Sequence, residues 1–149
     1  MKIDVQKRPG SGSAGGMGGA LFAFAFGKFI PGFQWIAQAS NLSEKVASVD
    51  LVITGEGQLD YQSFSGKVVG EMIHLAKLHD KPVIILVGTL GKGWEICLSK
   101  GNVIVFPISA GETSKEELLK NTSINLQRTS QQIAKLFHYN HKTGIRRAD

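Results

Sequence analysis

Three short runs of consecutive apolar, mostly β-branched residues punctuate the middle of the chain: Leu51-Val52-Ile53-Thr54, Val83-Ile84-Ile85-Leu86-Val87 and Val103-Ile104-Val105-Phe106. None alternates with polar positions, which predicts strands covered on both faces, as in a parallel sheet. Between the first two, Val69, Met72, Ile73 and Ala76 recur at i, i+3, i+4 and i+7, with Glu71, His74 and Lys77 off the stripe. An amphipathic helix is therefore expected over 66–79, and with it a β-α-β unit. A shorter helical stretch over 94–100 joins the second and third runs, closed by Gly101 as a C-terminal glycine. After the third run, Thr113 and Glu116 make a capping box. It opens a helical segment that continues, with or without a break near 121–123, through Leu126, Ile133 and Phe137.

The first third of the chain follows a different pattern. Residues 20–30 are apolar on almost every side and then meet Pro31-Gly32, which predicts a buried helix stopped by a breaker. A second short helix is expected over 33–40. The longest apolar run, 20–26, falls far short of the roughly twenty residues of a bilayer span. Lys2, Lys7 and Arg8 precede this region as in a secretory leader, but six glycines between Gly10 and Gly19 interrupt it and no small-x-small site precedes Lys28. A cytoplasmic protein with no membrane segment is expected.

Composition sharpens the picture in three places. A chain of 149 residues with 42% apolar and 19% charged residues has the material for a sizeable core. Its single cysteine, Cys97, excludes an internal disulfide and a cysteine-rich zinc cluster. The net charge of +5 suggests nucleic acid until it is located: residues 1–10 and 137–149 each net +2, leaving eleven bases against ten acids between them. Charge confined to chain ends is usually solvated, so no nucleic-acid partner is expected.

In an open parallel sheet the loops after the strands gather at one edge, where ligands bind. Here those loops are 55–64, 88–93 and 109–112. The first reads Gly55-Glu56-Gly57-Gln58-Leu59-Asp60-Tyr61-Gln62-Ser63-Phe64-Ser65-Gly66-Lys67. It sets two carboxylates at the mouth of a helix whose first turn carries Lys67. The unpaired N–H groups of that turn and the ammonium favour a phosphate, while Glu56 and Asp60 suit Mg²⁺ or a proton from an attacking hydroxyl. The plain alternative is a helix cap, with Ser63 or Ser65 capping and both carboxylates in solvent. A second candidate is the glycine loop 10–19, whose backbone could approach a phosphate unhindered or could serve close helix packing. Gly10, Gly12 and Gly15 match a dinucleotide fingerprint literally, but no strand precedes them and no acid follows near twenty residues on. A dinucleotide-binding module is accordingly disfavoured.

Three strings in order, Gly12-Ser13-Ala14-Gly15-Gly16-Met17-Gly18, then Asp50-Leu51-Val52-Ile53-Thr54-Gly55-Glu56-Gly57, then Leu59-Asp60-x-Gln62-Ser63-x-x-Gly66-Lys67, resemble the consecutive signatures of the bacterial glycerate kinases. The resemblance runs over about residues 8–138. It implies ATP-dependent, Mg²⁺-assisted phosphorylation of D-glycerate in a two-domain α/β protein. In that frame residues 46–138 form a flavodoxin-like, Rossmann-like parallel-sheet domain. Residues 1–45 are the remnant of a second, truncated α/β domain, and 139–149 a disordered basic tail. Carried onto this chain, Asp60 becomes the base or a metal-linked carboxylate, Glu56 a Mg²⁺ or substrate-positioning group and Lys67 the phosphate charge. Gln62 and Ser63 would bond ligand, and the backbone of Gly12, Ser13, Gly15, Gly16 and Gly18 would cradle an anion. The chain departs from the family in carrying Gln58 where an Arg is usual, which removes a bidentate phosphate contact. Family members are more than twice as long, so a C-terminal portion is expected, with little activity alone. A missing N-terminal half, or self-association through the uncovered 20–26 helix, would supply its partner. The alternative is a non-catalytic remnant or binding module of the same fold.

Overall fold

The computed structural model describes residues 4–111 and 114–143. The chain divides into two units, Met1–Leu42 and Ser43–Asp149.

In the first unit a 3-10 turn, Ser13–Gly16, leads into helix α1 (Met17–Ala25), followed by α2 (Gly32–Ala39). Phe22 stacks on Phe29 at 6.0 Å and carries the Arg8 guanidinium 3.9 Å above its ring. Two expectations change here. The apolar helix ends at Ala25, six residues before Pro31, because Phe26 turns left-handed (φ 52°) and Gly27 N–H closes on Leu21 O at 3.0 Å. Pro31 instead opens α2. Nor is α1 buried: Phe24 is 86% and Phe26 83% exposed, and Gly19 is the one buried residue of the helix. A helix with no polar face has more apolar surface than so short a unit can cover.

Helix α3 (Leu42–Ala47) precedes the second unit's sheet. Strands β1 (Val52–Leu59), β2 (Val83–Leu90) and β3 (Val103–Pro107) lie parallel in the order β1-β2-β3, giving the α/β class the apolar runs predict. Helix α4 (Val68–Leu78) connects β1 to β2 and buries Val69, Ile73 and Ala76 against the sheet, on the stripe read from the sequence. A 3-10 turn, Trp94–Ser99, leads to β3, and α5 (Lys115–Thr143) follows.

Strands β1 and β2 run on well past the expected ends, pairing as far as Leu59 with Leu90. Glu56 and Gln58 therefore sit on a strand, and the first expected loop shrinks to the bend after Leu59. The glycines that read as loop signals are what lets the backbones meet: a Cβ at Gly88 would stand 2.5 Å from Gly57 O. Only the central strand is buried as predicted. In the row Ile53–Ile84–Ile104, the flanking residues are 59% and 48% exposed while Ile84 is buried. The helix α4 covers one face, whereas α5 meets the other at β2 and leaves its edges open.

Gly101 does not adopt the left-handed cap expected of it; Lys100 ends the turn in right-handed geometry, and Gly93 takes the left-handed position before it. Thr113 and Glu112 lie outside the described residues. Ser114 caps α5, its Oγ accepting from Glu117 N–H at 3.2 Å. The helix is continuous through 121–123, where Thr122 Oγ1 donates to Leu118 O at 2.7 Å. It carries residues 139–143 in helical form, while 144–149 of the expected disordered tail lie outside the described residues.

Candidate functional site

The bend after β1 is built by one carboxylate. Asp60 sits in extended geometry (φ −144°, ψ −177°) ahead of a 3-10 turn, Tyr61–Phe64, and its Oδ1 accepts from Gln62 N–H at 2.9 Å and Ser63 N–H at 3.2 Å. Ser63 Oγ in turn accepts from Asp60 N–H at 3.2 Å, completing a reciprocal cap. Ser63 is wholly buried, and its hydroxyl hydrogen faces Gln58 O and Asp60 Oδ1, both at 3.4 Å. Neighbouring backbone pins the bend: Tyr61 N–H donates to Lys92 O at 3.1 Å and Gly91 N–H to Leu59 O at 2.7 Å. The helix α4 approaches closely, because a Cβ at Gly70 would lie 2.8 Å from Ser63 O.

This folding brings Lys67 back to Asp60. Gly66 takes φ 78°, Lys67 becomes the residue before α4, and its Nζ reaches 4.0 Å from Asp60 Oδ1 with about half of the side chain still exposed. No side chain caps α4, so the N–H groups of its first turn are left without a capping acceptor, one residue on from Lys67. The plain alternative expected Ser63 or Ser65 to cap α4, and neither does; the cap found belongs to the 3-10 turn, where Asp60 Oδ1 serves it, and the described residues give Asp60 Oδ2 no partner.

Glu56 stands apart from this group. It lines a hollow of about 860 Å³ between the sheet face and α5, walled by Ile53, Leu86, Ile108, Leu118 and Leu126, while its Oε1 is shut off from solvent and finds no hydrogen-bond partner among the described residues. The sequence reading missed this hollow. Its one signal was an amide, Asn125, placed on the apolar stripe Leu118, Thr122, Leu126, Ile133 and found 4% exposed.

The glycine loop belongs to the first unit. Gly15 (φ 66°) and Gly16 (φ 96°) are left-handed, and a Cβ at Gly12, Gly15 or Gly16 would meet nothing within 4 Å. Several of its amides are already engaged: Ser13 N–H on Gly10 O, Gly16 N–H on Gly12 O, Gly19 N–H on Ser11 O. At Gly18 a Cβ would come within 2.5 Å of Gly10 O, so that glycine serves close packing. Cys97 is buried, and burial pushes its thiol above the ordinary value, with the Glu95 charge adding to the effect. Among the described residues no three His, Cys, Asp or Glu side chains form a metal cluster. Nor is any helix there long and apolar enough to cross a membrane.

The model of the Glycerate kinase family matches residues 1–138. A glycerate kinase of Halalkalibacterium halodurans is 36% identical over 140 residues, which are 94% of this chain and 37% of that protein. A glycerate 2-kinase of Escherichia coli is 37% identical over 134 residues, covering 90% of this chain and 35% of its own length. A crystal structure from Salmonella typhimurium LT2, assigned as glycerate kinase 2, superposes with a TM-score of 0.66 at 34% identity, over 94% of this chain and 36% of that one. The chain thus spans about a third of the length of these relatives.

Proposed function

The chain belongs to the glycerate kinase family, and from that membership we propose that it supplies the phosphoryl-transfer edge of a kinase acting on D-glycerate with ATP and Mg²⁺. The observation that carries the reading is the return of Lys67 to within 4.0 Å of Asp60 at the uncapped amino end of α4, just beyond the end of a parallel strand. A carboxylate and an ammonium on one bend, beside unpaired N–H groups, suit an acceptor hydroxyl next to a phosphate.

Phosphoryl transfer asks little covalent chemistry of a protein and much positioning. Asp60 takes the proton of the glycerate hydroxyl as that oxygen bonds to the γ-phosphorus. The bond from the phosphorus to the β,γ-bridging oxygen breaks, and ADP leaves with the electron pair. Lys67 and the first amides of α4 balance charge on the phosphate. The Gln62 carboxamide, which donates to Tyr61 OH at 3.0 Å, lies within the same bend to bond ligand, while Ser63 holds the carboxylate in place. Within the first unit, the loop of Gly12, Ser13, Gly15, Gly16 and Gly18 would by itself offer backbone to an anion, at Gly12, Gly15 and Gly16 with nothing where a Cβ would stand.

Mg²⁺ commonly binds through one or two carboxylates completed by phosphate and water, so the lack of a three-carboxylate cluster is compatible with it. The oxygen on the open side of Asp60 would hold it, while Glu56, four strand residues earlier and apart from this group, is too far along β1 to share the ion. Bound there, it would neutralise charge on the transferring phosphate.

Asp60→Asn tests the assignment cleanly, since an amide oxygen can still accept from Gln62 and Ser63 N–H and keep the bend. In a coupled assay with D-glycerate and ATP, weak or silent turnover is expected from the chain alone. Adding a polypeptide with the other two thirds of the family length should restore it, and Asp60→Asn should then lower it by about 10²-fold or more. Undiminished turnover in the variant would remove Asp60 from the chemistry. Because the chain covers only 35–37% of its relatives, a second reading stands beside the first: a non-catalytic binding module, which silence in every combination would favour.

A further inference from the structure

We propose that a polar cleft along α4 is a second anion site, built for a hydroxylated phosphate monoester of sugar-phosphate size; it stands independently of the kinase reading. The cleft encloses about 610 Å³ and is lined by Phe64, Ile73, Glu71, His74, Lys77 and Lys100 among others, while Asp60, Gln62 and Lys67 do not border it. Two ammoniums meet there. A Cβ at Gly101 would stand 3.8 Å from Lys77 Cβ, so the end of the 94–99 turn packs on Lys77 and brings the preceding Lys100 beside α4. Lys100 Nζ lies 5.6 Å over the Phe64 ring, and cation–π attraction orients it. The dipole of α4 accounts for Lys77, which sits in its last turn, but not for a second lysine carried against it from another element. Among the described residues no carboxylate lies within ion-pair distance of either lysine. A phosphate dianion between them would offset their repulsion.

Spacing along the helix defines the rest of the ligand. Glu71, His74 and Lys77 follow one another at three-residue steps, so carboxylate, imidazole and ammonium line one side of α4. The imidazole brings a ring N–H donor between the two charges. Six residues of helix put about 9 Å between Glu71 and Lys77. Phosphate is repelled at the Glu71 end, where a carboxylate with no ion pair among the described residues calls for a hydroxyl donor instead. A molecule that satisfies both ends carries phosphate at one and hydroxyls at the other. The volume agrees, since it exceeds the need of a bare phosphate and falls within the range of small-molecule pockets.

Amide NMR shifts of the whole chain test the site with three probes: ribose 5-phosphate, ribose and inorganic phosphate. Ribose 5-phosphate is expected to shift Glu71, His74, Lys77 and Lys100 saturably, inorganic phosphate to do so about tenfold more weakly, and ribose not at all. Lys77→Gln and Lys100→Gln should each weaken ribose 5-phosphate by about tenfold, and Glu71→Gln should erase its advantage over inorganic phosphate. These side chains reach solvent, so the fold should survive each change, read as unmoved shifts at the core residues Ile85 and Val87. Lys67→Gln, which discharges the bend, should leave the cleft response as it is. A response that vanishes in Lys67→Gln places the phosphate at the bend and overturns the proposal. Equal affinity for ribose 5-phosphate and inorganic phosphate, indifference to both lysine variants, or no response at α4 overturns it as well, marking the two lysines as ordinary solvated surface.

Discussion

At the scale of single residues, the same side chain often answers two demands, and Asp60 is the instance that matters. Its spacing to Lys67 was legible because Gly66 and a helix start lie between them, and a chain that turns there must come back on itself. What the spacing could not reveal is that Ser63 would be wholly buried, since a serine in a polar string carries no mark of burial until its partners Gln58 O and Asp60 N–H are in place. Glu56 was misplaced for a related reason. Flanking glycines signal a loop in one dimension and a close strand contact in three. Gly88→Ala measures that contact: its methyl would press on Gly57 O, and urea denaturation should show a loss of roughly 1–3 kcal/mol. Cys97 offers a pH test. Because burial raises its folded value, the fold favours the thiol. That contribution is complete below the ordinary thiol value and is lost as pH rises through the folded one, so stability should decline in the alkaline range. Alkylation of the native chain near neutral pH should be slower than that of the unfolded chain by about tenfold or more.

Elements were more legible than their ends. The stripe of Val69, Ile73 and Ala76 placed α4 correctly because its buried side is set by local period, whereas the lengths of β1 and β2 are set by each other through the ladder to Leu59 and Leu90. Periodicity sees the first kind of information and is blind to the second. The expectation of strands covered on both faces failed at Ile53 and Ile104 because continuous apolarity records what a strand can bury, and not what this chain supplies to cover it. Helix α5 shows local chemistry deciding continuity. The polar stretch near 121–123 reads as a possible break, yet Thr122 bonds back to Leu118 O and the helix passes through. Its start depends on Ser114, so Ser114→Ala should cost about 1 kcal/mol and fray the first turn, read as lost amide protection at Glu117.

The whole molecule exposes more apolar surface than its fold explains. In the first unit Phe24 and Phe26 stand almost bare with Trp35 and Ile36 more than half exposed, and in the second Ile53 and Leu119 do the same. Exposed apolar side chains in this number commonly mark a surface that meets another, and the chain spans only about a third of its relatives' length. The charge distribution does little to oppose association. The surplus of +5 sits mainly at the two ends, so the body is close to neutral and repulsion between copies is weak. Light scattering of the isolated chain should therefore report species larger than a monomer. Contacts driven by apolar burial should persist when added salt screens charge, and an assembly held by the basic ends should dissolve under the same treatment. Replacing Phe24 and Phe26 together by lysine removes two side chains that bury little in the fold, so thermal stability should change little while the scattering mass falls. A wild-type chain that runs as a clean monomer at high concentration would show that these faces are tolerated in water, and the need for a covering partner would fall with that result.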